Sequence, residues 1–172
     1  KPLKDIQPWL KQIDAWKKEF PLSFENKKGQ IVPQSVVHNI NKVSDKDAIF
    51  SVGVGQHQMW AAQFLDFEKP NNWLCSSGLG AMGYGLPSAM GAQVAFPKKQ
   101  VINIEGDGSF LMNIQELQTL VHYNLPIKLF GLNNKGYLTI KATQQNHFGR
   151  FVGAEQSSGV TFPDIIKIAT AY

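Results

Sequence analysis

Three short apolar runs, each closing in a Gly- or Asn-rich turn, constrain this chain more than any other feature. Ala48-Ile49-Phe50-Ser51-Val52 closes in Gly53-Val54-Gly55, and Gln58 to Leu65 then reads as a helix. Val101-Ile102-Asn103-Ile104 closes in Gly106-Asp107-Gly108, and Ile114 to Tyr123 follows as a helix with Leu117, Leu120 and Val121 inward. Ile127-Lys128-Leu129-Phe130-Gly131-Leu132 closes in Asn133-Asn134. Near-continuous apolar strands alternating with helices predict an α/β fold: a mainly parallel sheet with helices on both faces and right-handed crossovers. Ligands of such sheets bind beyond the carboxyl ends of the strands. All three polar turns fall at those ends.

Composition narrows the partners. At 172 residues and 43% hydrophobic, the chain is long enough for a sizeable core, and its 11% aromatic and 17% charged content excludes a disordered tail. No apolar run approaches the roughly 18 residues of a membrane-spanning helix, so a soluble protein is expected. The net charge of +4 raises the question of nucleic acid, but Arg150 is the single arginine among 17 basic residues. Bidentate reading of bases and phosphates favours Arg, so neither a nucleic acid nor a membrane is expected as partner. The lone Cys75 has neither a disulfide partner nor a zinc-site cluster around it, which suits a reducing compartment such as the cytoplasm. Lys1-Pro2-Leu3-Lys4 is followed by Asp5, Gln7 and Lys11 and not by the apolar stretch of a secretory signal. The absence of an initial Met, and an end at Tyr172 inside an apolar helix, lead us to expect a piece of a longer polypeptide.

Before the first run the sequence reads as scaffold. Ile6, Trp9, Leu10, Ile13, Trp16 and Phe20 recur at helical spacing up to Pro21. A polar stretch reaches Gln30, and a second helix is expected from Pro33 to Val43 with Val36, Val37 and Ile40 on its apolar side. Between the first two strands, Gly78, Gly80, Gly83 and Gly85 alternate with apolar residues ahead of a helix from Ser88 to Phe96, a pattern suited to close backbone approach. Thr161 and Asp164 stand at capping-box spacing before a last helix that begins near Ile165.

Gly106-Asp107-Gly108 alone is weak, because Asp-Gly is a common turn dipeptide. Its partner is Asn133-Asn134, with one helix and one strand between Asp107 and Asn134. That crossover returns the chain to the same edge, so the Asp107 carboxylate and the Asn134 amide oxygen can converge, with a backbone carbonyl near Gly136 as a third oxygen. Hard oxygens in that number suit Mg²⁺, which leaves its other positions to water and substrate phosphates. A diphosphate ligand is therefore expected.

GDG followed by NN at this distance resembles the signature of thiamine diphosphate enzymes. The segments Gly53-Val54-Gly55-Gln56-His57-Gln58-Met59-Trp60-Ala61-Ala62-Gln63, Gly78-Leu79-Gly80-Ala81-Met82-Gly83-Tyr84-Gly85-Leu86-Pro87 and Gly106-Asp107-Gly108-Ser109-Phe110-Leu111-Met112-Asn113 resemble the large catalytic subunit of acetolactate synthase. The resemblance is strong over residues 30–140 and looser elsewhere. It implies the thiamine diphosphate-binding fold over residues 31–172, cut short at its C-terminus, with residues 1–30 a helix and linker from a preceding domain. It implies thiamine diphosphate and Mg²⁺ as cofactors, with Asp107, Asn134 and the Gly136 carbonyl as metal ligands. Val54, Gly55, Gln56 and His57 would hold the diphosphate, assisted by Gly106, Gly108, Ser109 and Tyr137. Gly80 and Met82 would meet the aminopyrimidine, the Met82 side chain bending the cofactor into its V shape. Such an enzyme decarboxylates a 2-oxoacid such as pyruvate and ligates the resulting enamine to a second 2-oxoacid.

Taken singly, these residues have plainer readings. His57 alone would be a loop histidine bonded to backbone, Met82 core filler, and Cys75 a buried small hydrophobe. His38, His122 and His147 read as helix-face residues, and Trp60, Phe64 and Leu65 as core or subunit interface. The chain also departs from the family: Lys141-Ala142-Thr143-Gln144 stands where it often carries Gln-Trp-Gln, so Thr143 replaces a substrate-recognising tryptophan. Losing such a contact is worth some 1–3 kcal/mol of discrimination. The alternatives are therefore another thiamine diphosphate-dependent 2-oxoacid decarboxylase or carboligase, one acting on a sugar included, and a non-catalytic nucleotide- or protein-binding module. The resemblance places the activating glutamate in an N-terminal domain that reaches the site across a homodimer interface, and neither Glu105 nor Glu116 matches its motif. The isolated 172-residue chain is accordingly expected to give little or no turnover; robust turnover from it would overturn the domain assignment.

Overall fold

The computed structural model describes residues 5–67 and 69–172, so the opening Lys1 to Lys4, read above against a signal sequence, lies outside the described residues. The elements in chain order are α1 Gln7–Glu19, α2 Pro33–Val43, β1 Ile49–Val52, α3 Gln56–Phe64, β2 Trp73–Cys75, α4 Gly85–Ala95, β3 Val101–Gly106, α5 Asp107–Leu111, α6 Glu116–His122, β4 Lys128–Leu132, α7 Leu138–Phe148 and α8 Ile165–Ala171. The strands form one parallel sheet in the order β2-β1-β3-β4. Three strands are those expected, and β2 is an addition. Its three residues are too few for a periodicity to show, and pairing with β1 (Phe50↔Trp73, Val52↔Cys75) makes them a strand.

Each strand alternates its side chains between two helical layers. Phe50, Val52, Ile102 and Ile104 meet Val37 and Ile40 of α2 and Ala61 of α3, with Trp60, Phe64 and Leu65 in the same cluster. Ile49 and Val101 point the other way, onto Ala89 and Ala92 of α4. Leu86, Phe110 and Leu117 continue that second layer under Leu129, Ile165 and Ile168. Burying each large apolar side chain stabilises by about 1.5–3 kcal/mol, so the two layers hold the sheet without help from its polar end.

On the α4 side the pattern turns polar toward the carboxyl end. Ser51, Asn103 and Glu105 share the parity of Ile49 and Val101, and all three are fully buried. The Ser51 hydroxyl donates to the Gly85 carbonyl at 2.7 Å, and Asn103 Nδ2 donates to the Ser51 carbonyl at 3.0 Å. The first bond ties the start of α4 to β1 and the second ties β3 to β1; α4 begins at Gly85, three residues before the expected Ser88.

Other differences are local. The helix expected from Ile114 is split, because α5 follows Gly106 directly and α6 begins at Glu116. Asp164 is itself the N-cap of α8, its Oδ1 accepting from the Ile166 and Lys167 amides, so the Thr161–Asp164 capping box does not form. Cys75 is half-buried beside the Ser77 hydroxyl, not enclosed as expected, because β2 is an edge strand. The apolar stripe of α1 forms but covers nothing: α1 has no buried residue, and Trp9 and Trp16 meet only edge to face at 5.5 Å. His38 is partly exposed and His122 and His147 exposed, on helices as read. No described helix is long and apolar enough to cross a membrane.

Ile104 is fully buried in a central strand, whereas Val43 at the end of α2 is 80% exposed. Ile104→Ala should cost about 2–5 kcal/mol in denaturant unfolding. Val43→Ala should stay within about 0.5 kcal/mol of the parent. Equal effects would contradict the layer assignment.

Candidate functional site

The sheet order creates a crevice. The chain steps from β1 outward to β2, then returns over β1 to place β3 on its other side and β4 beyond. The loops after β1 and β3 therefore leave in opposite directions, at the point where open α/β sheets bind ligands. A cleft of about 100 Å³ lies there, lined by Val54, Gly55, Gln56, His57 and Met82, by Gly106 to Ser109, and by Asn134, Gly136 and Tyr137 to Ile140. Every residue expected at the site lines this cleft except Gly80. Gly80 stands beside it in the left-handed region (φ 69°), with its Cα side facing the Val54 methyl. A far larger cavity, about 950 Å³, lies under β4 and α8, but its walls are mostly apolar residues such as Leu117, Leu129 and Ile165, and it meets the polar turns at Asn133 and Lys135. The polar groups expected at the site gather in the smaller cleft.

Asp107 and Asn134 converge. The Gly136 amide donates to Asp107 Oδ2 at 3.3 Å and to Asn134 Oδ1 at 3.1 Å, so the two side-chain oxygens face one point. Lys135 takes φ 59°, a strained conformation for a side chain with a Cβ, and the Asn133 side chain stabilises it by accepting from the Lys135 amide. The first Asn thus shapes the turn, while the second faces Asp107. Burial raises the Asp107 pKa above the ordinary carboxylate value, opposed by hydrogen bonds from the backbone of Gly108, Lys135, Gly136 and Asn134. A buried carboxylate beside an amide oxygen, outside any cluster of three or more His, Cys, Asp or Glu among the described residues, is a donor set for a hard cation such as Mg²⁺ and fits it.

Glycines make the cradle. A Cβ on Gly108 would fall 2.2 Å from the Tyr137 ring, which packs over that turn and meets Phe162 edge to face at 5.2 Å. A Cβ on Gly106 would fall 2.8 Å from His57 Nδ1. The loop bearing Asn134 is clamped from behind: the Tyr137 amide donates to the Ala154 carbonyl at 2.8 Å, Lys141 pairs with Glu155, and the Gln144 amide makes two hydrogen bonds to the Val152 backbone.

Two residues make contacts that the sequence does not specify. Ser109 Oγ accepts from the Val54 amide at 3.3 Å and the Gly83 amide at 3.1 Å, so its hydroxyl joins the two glycine loops, while its backbone stays in the first turn of α5. His57 is the second residue of α3 and only 4% exposed, and burial pushes its pKa down to about 4 against a hydrogen bond to Gly53. It is therefore neutral and presents no cationic side chain to a phosphate. Its Nε2 faces Glu105 Oε2 at 3.9 Å, a residue the sequence reading set aside. Burial pushes Glu105 up to about 7, against hydrogen bonds from Ser109, Asn103 and the Leu86 backbone. A signal existed: a charged residue at the inward parity of an otherwise apolar strand, with glycines on the neighbouring turns. Leu138, Thr139 and Ile140 also line the cleft and were not singled out, because helix periodicity alone does not say which turn faces a ligand.

The chain spans little more than a quarter of the length of the curated relatives it matches. It is 46% identical to the acetolactate synthase large subunit of Cyanidium caldarium over 167 residues, covering 96% of this chain and 28% of that protein. It is 41% identical to the chloroplastic acetolactate synthase 1 of Zea mays (98% of this chain, 27% of that protein) and 43% identical to the chloroplastic acetolactate synthase of Arabidopsis thaliana (97% and 26%). Residues 53–172 match the model of the thiamine pyrophosphate enzyme C-terminal TPP binding domain. That span runs from the first glycine turn through both halves of the Asp107–Asn134 pair, and the chain belongs to the thiamine pyrophosphate enzymes as a C-terminal TPP-binding domain.

Proposed function

We propose that this chain is the cofactor-binding part of an acetolactate synthase-like enzyme that joins two 2-oxoacids, the first of them pyruvate, with loss of CO₂. The observation that carries the reading is the convergence of Asp107 Oδ2 and Asn134 Oδ1 on the Gly136 amide at the switch point of the sheet. Asp107, Asn134 and the Gly136 carbonyl would hold Mg²⁺, and the Val54 to His57 loop with Gly106 and Gly108 would receive the diphosphate. Thiamine diphosphate, when bound, supplies the electron sink for decarboxylation and carbon–carbon bond formation.

The chain's own residues do the holding and the excluding. Glycine at 106 and 108 lets backbone approach an anion where any side chain would collide with His57 or Tyr137. The half-buried Met82 borders the cleft on the side of Gly80 and supplies an apolar wall against which a heteroaromatic ring can rest. At about 100 Å³ the cleft is smaller than the roughly 300–1,000 Å³ typical of complete ligand sites, in keeping with a site shared with another domain. We assign the missing wall and the activating glutamate to the N-terminal domain of a second copy in a homodimer. The single thiol, Cys75, suits a reducing compartment such as the cytoplasm.

A second reading keeps the cofactor and changes the substrate. Thr139, Ile140, Thr143 and Gln144 line a shallow hollow next to the cleft, and Thr143 Oγ1 donates to the Thr139 carbonyl, so this wall carries no large aromatic side chain. It leaves room for another acceptor, a sugar-derived carbonyl compound among them.

The test uses the longer polypeptide containing this segment, supplied with pyruvate, thiamine diphosphate and Mg²⁺, with CO₂ and acetolactate followed together. Both should form, and Asp107→Ala should lower both by more than about 100-fold, beyond the 10–100-fold typical of an outer-shell partner. Full activity in Asp107→Ala would contradict the proposed metal site. Cofactor bound with neither product formed would favour the second reading.

A further inference from the structure

Glu105 has no part in the chemistry proposed above, yet it is fully buried and its surroundings are cut to its shape. A Cβ on Gly53 would fall 1.8 Å from Glu105 Oε2, and a Cβ on Gly85 would fall 2.0 Å from Oε1. The carboxyl thus occupies space that exists only because the turn after β1 and the start of α4 each carry a glycine. Asn103 Nδ2 reaches Oε1 at 3.5 Å, a weak contact. Ser109 and the Leu86 backbone lie close to the carboxyl, but among the described residues neither Oε2 nor His57 Nε2, 3.9 Å away, has a partner of good hydrogen-bond geometry. Two orphaned polar atoms facing each other inside a packed site are costly unless something makes use of them. The other ring nitrogen of His57 lies against Gly106 and Gly55, on the wall of the cleft.

We propose that Glu105 is a positioning residue for the cofactor loop, holding the His57 ring and the Gly53 backbone so that Val54 to Gln56 keep the shape that receives the diphosphate. The inference rests on the proposed cofactor site. It is one of shape and hydrogen bonding: a side chain that fills the space left by Gly53 and Gly85 and presents a polar atom to His57 Nε2 can hold that ring, whichever of the two carries the proton. Glutamine keeps the volume and a hydrogen-bonding group for His57 Nε2, whereas leucine fills the space and offers none.

The experiment titrates thiamine diphosphate with Mg²⁺ into the full polypeptide by calorimetry, alongside kcat at saturating cofactor and thermal unfolding without cofactor. Glu105→Leu should weaken cofactor binding by about 10-fold or more while kcat at saturation stays within about 3-fold, and Glu105→Gln should bind within about 3-fold of the parent. Adding His57→Ala to Glu105→Leu should weaken binding little further, since both act through one ring. Should Glu105→Leu not fold, Glu105→Met, unbranched and adaptable, makes the same test. Parent-like binding in the apolar variants, equal loss in Glu105→Gln, or a fall in kcat and unfolding temperature without a change in affinity would each overturn the proposal. Failure of the parent protein to bind thiamine diphosphate would instead count against the cofactor site itself.

Discussion

The register that places Val52 of β1 beside Ile104 of β3 lets β3 run two residues past its neighbour. The ladder continues one step, with the Gly53 amide donating to the Ile104 carbonyl at 3.0 Å, and then β1 has turned away. Glu105 and Gly106 consequently project into a region where the facing strand offers backbone and no side chains. The geometry of the cleft follows from this offset. Gly106 lies against His57, Asp107 opens α5 at the crevice, and Ser109, one turn on, reaches back to take the amides of Val54 and Gly83. One hydroxyl thereby draws together the two glycine-rich loops, which leave different strands.

The division of labour in the sheet is clear along its length. At the amino ends Ile49 and Val101 pack on α4 as ordinary core, and toward the carboxyl ends the same face carries Ser51, Asn103 and Glu105. Buried polar groups of this kind weaken a core unless they are paired, and here each is bonded at least in part to backbone or to its neighbour. Stability comes from the apolar half and placement of the loops from the polar half. The loop bearing Asn134 is held separately by the return of the chain at Ala154 and Glu155, so the two oxygens of the proposed metal pair are supported by independent parts of the fold.

Much of this was legible in the sequence because the signals are strong and local. Apolar runs closing in Gly and Asn turns located three strands and the edge at which they end, and α2 spans the expected Pro33–Val43. Asp107 and Asn134 could be paired from the crossover alone. What escaped depends on tertiary context. Three residues become β2 only by pairing with β1. Asp164 caps α8 in place of Thr161 because a short acidic side chain adjacent to the helix reaches two amides at once. That the Ser109 hydroxyl joins two loops shows only once Val54 and Gly83 are placed. Glu105 reads as a turn-flanking charge until Gly53 and Gly85 are seen to leave it room.

The central claim is that Asp107 and Asn134 form a metal site through which a diphosphate is bound. Calorimetric titration of thiamine diphosphate into the full polypeptide, with Mg²⁺ and then with the metal removed by chelation, tests it most directly. The account predicts saturable binding that requires Mg²⁺ and is not reproduced by ATP or NAD. Binding of equal affinity without the metal, or equal binding of ATP, would contradict it.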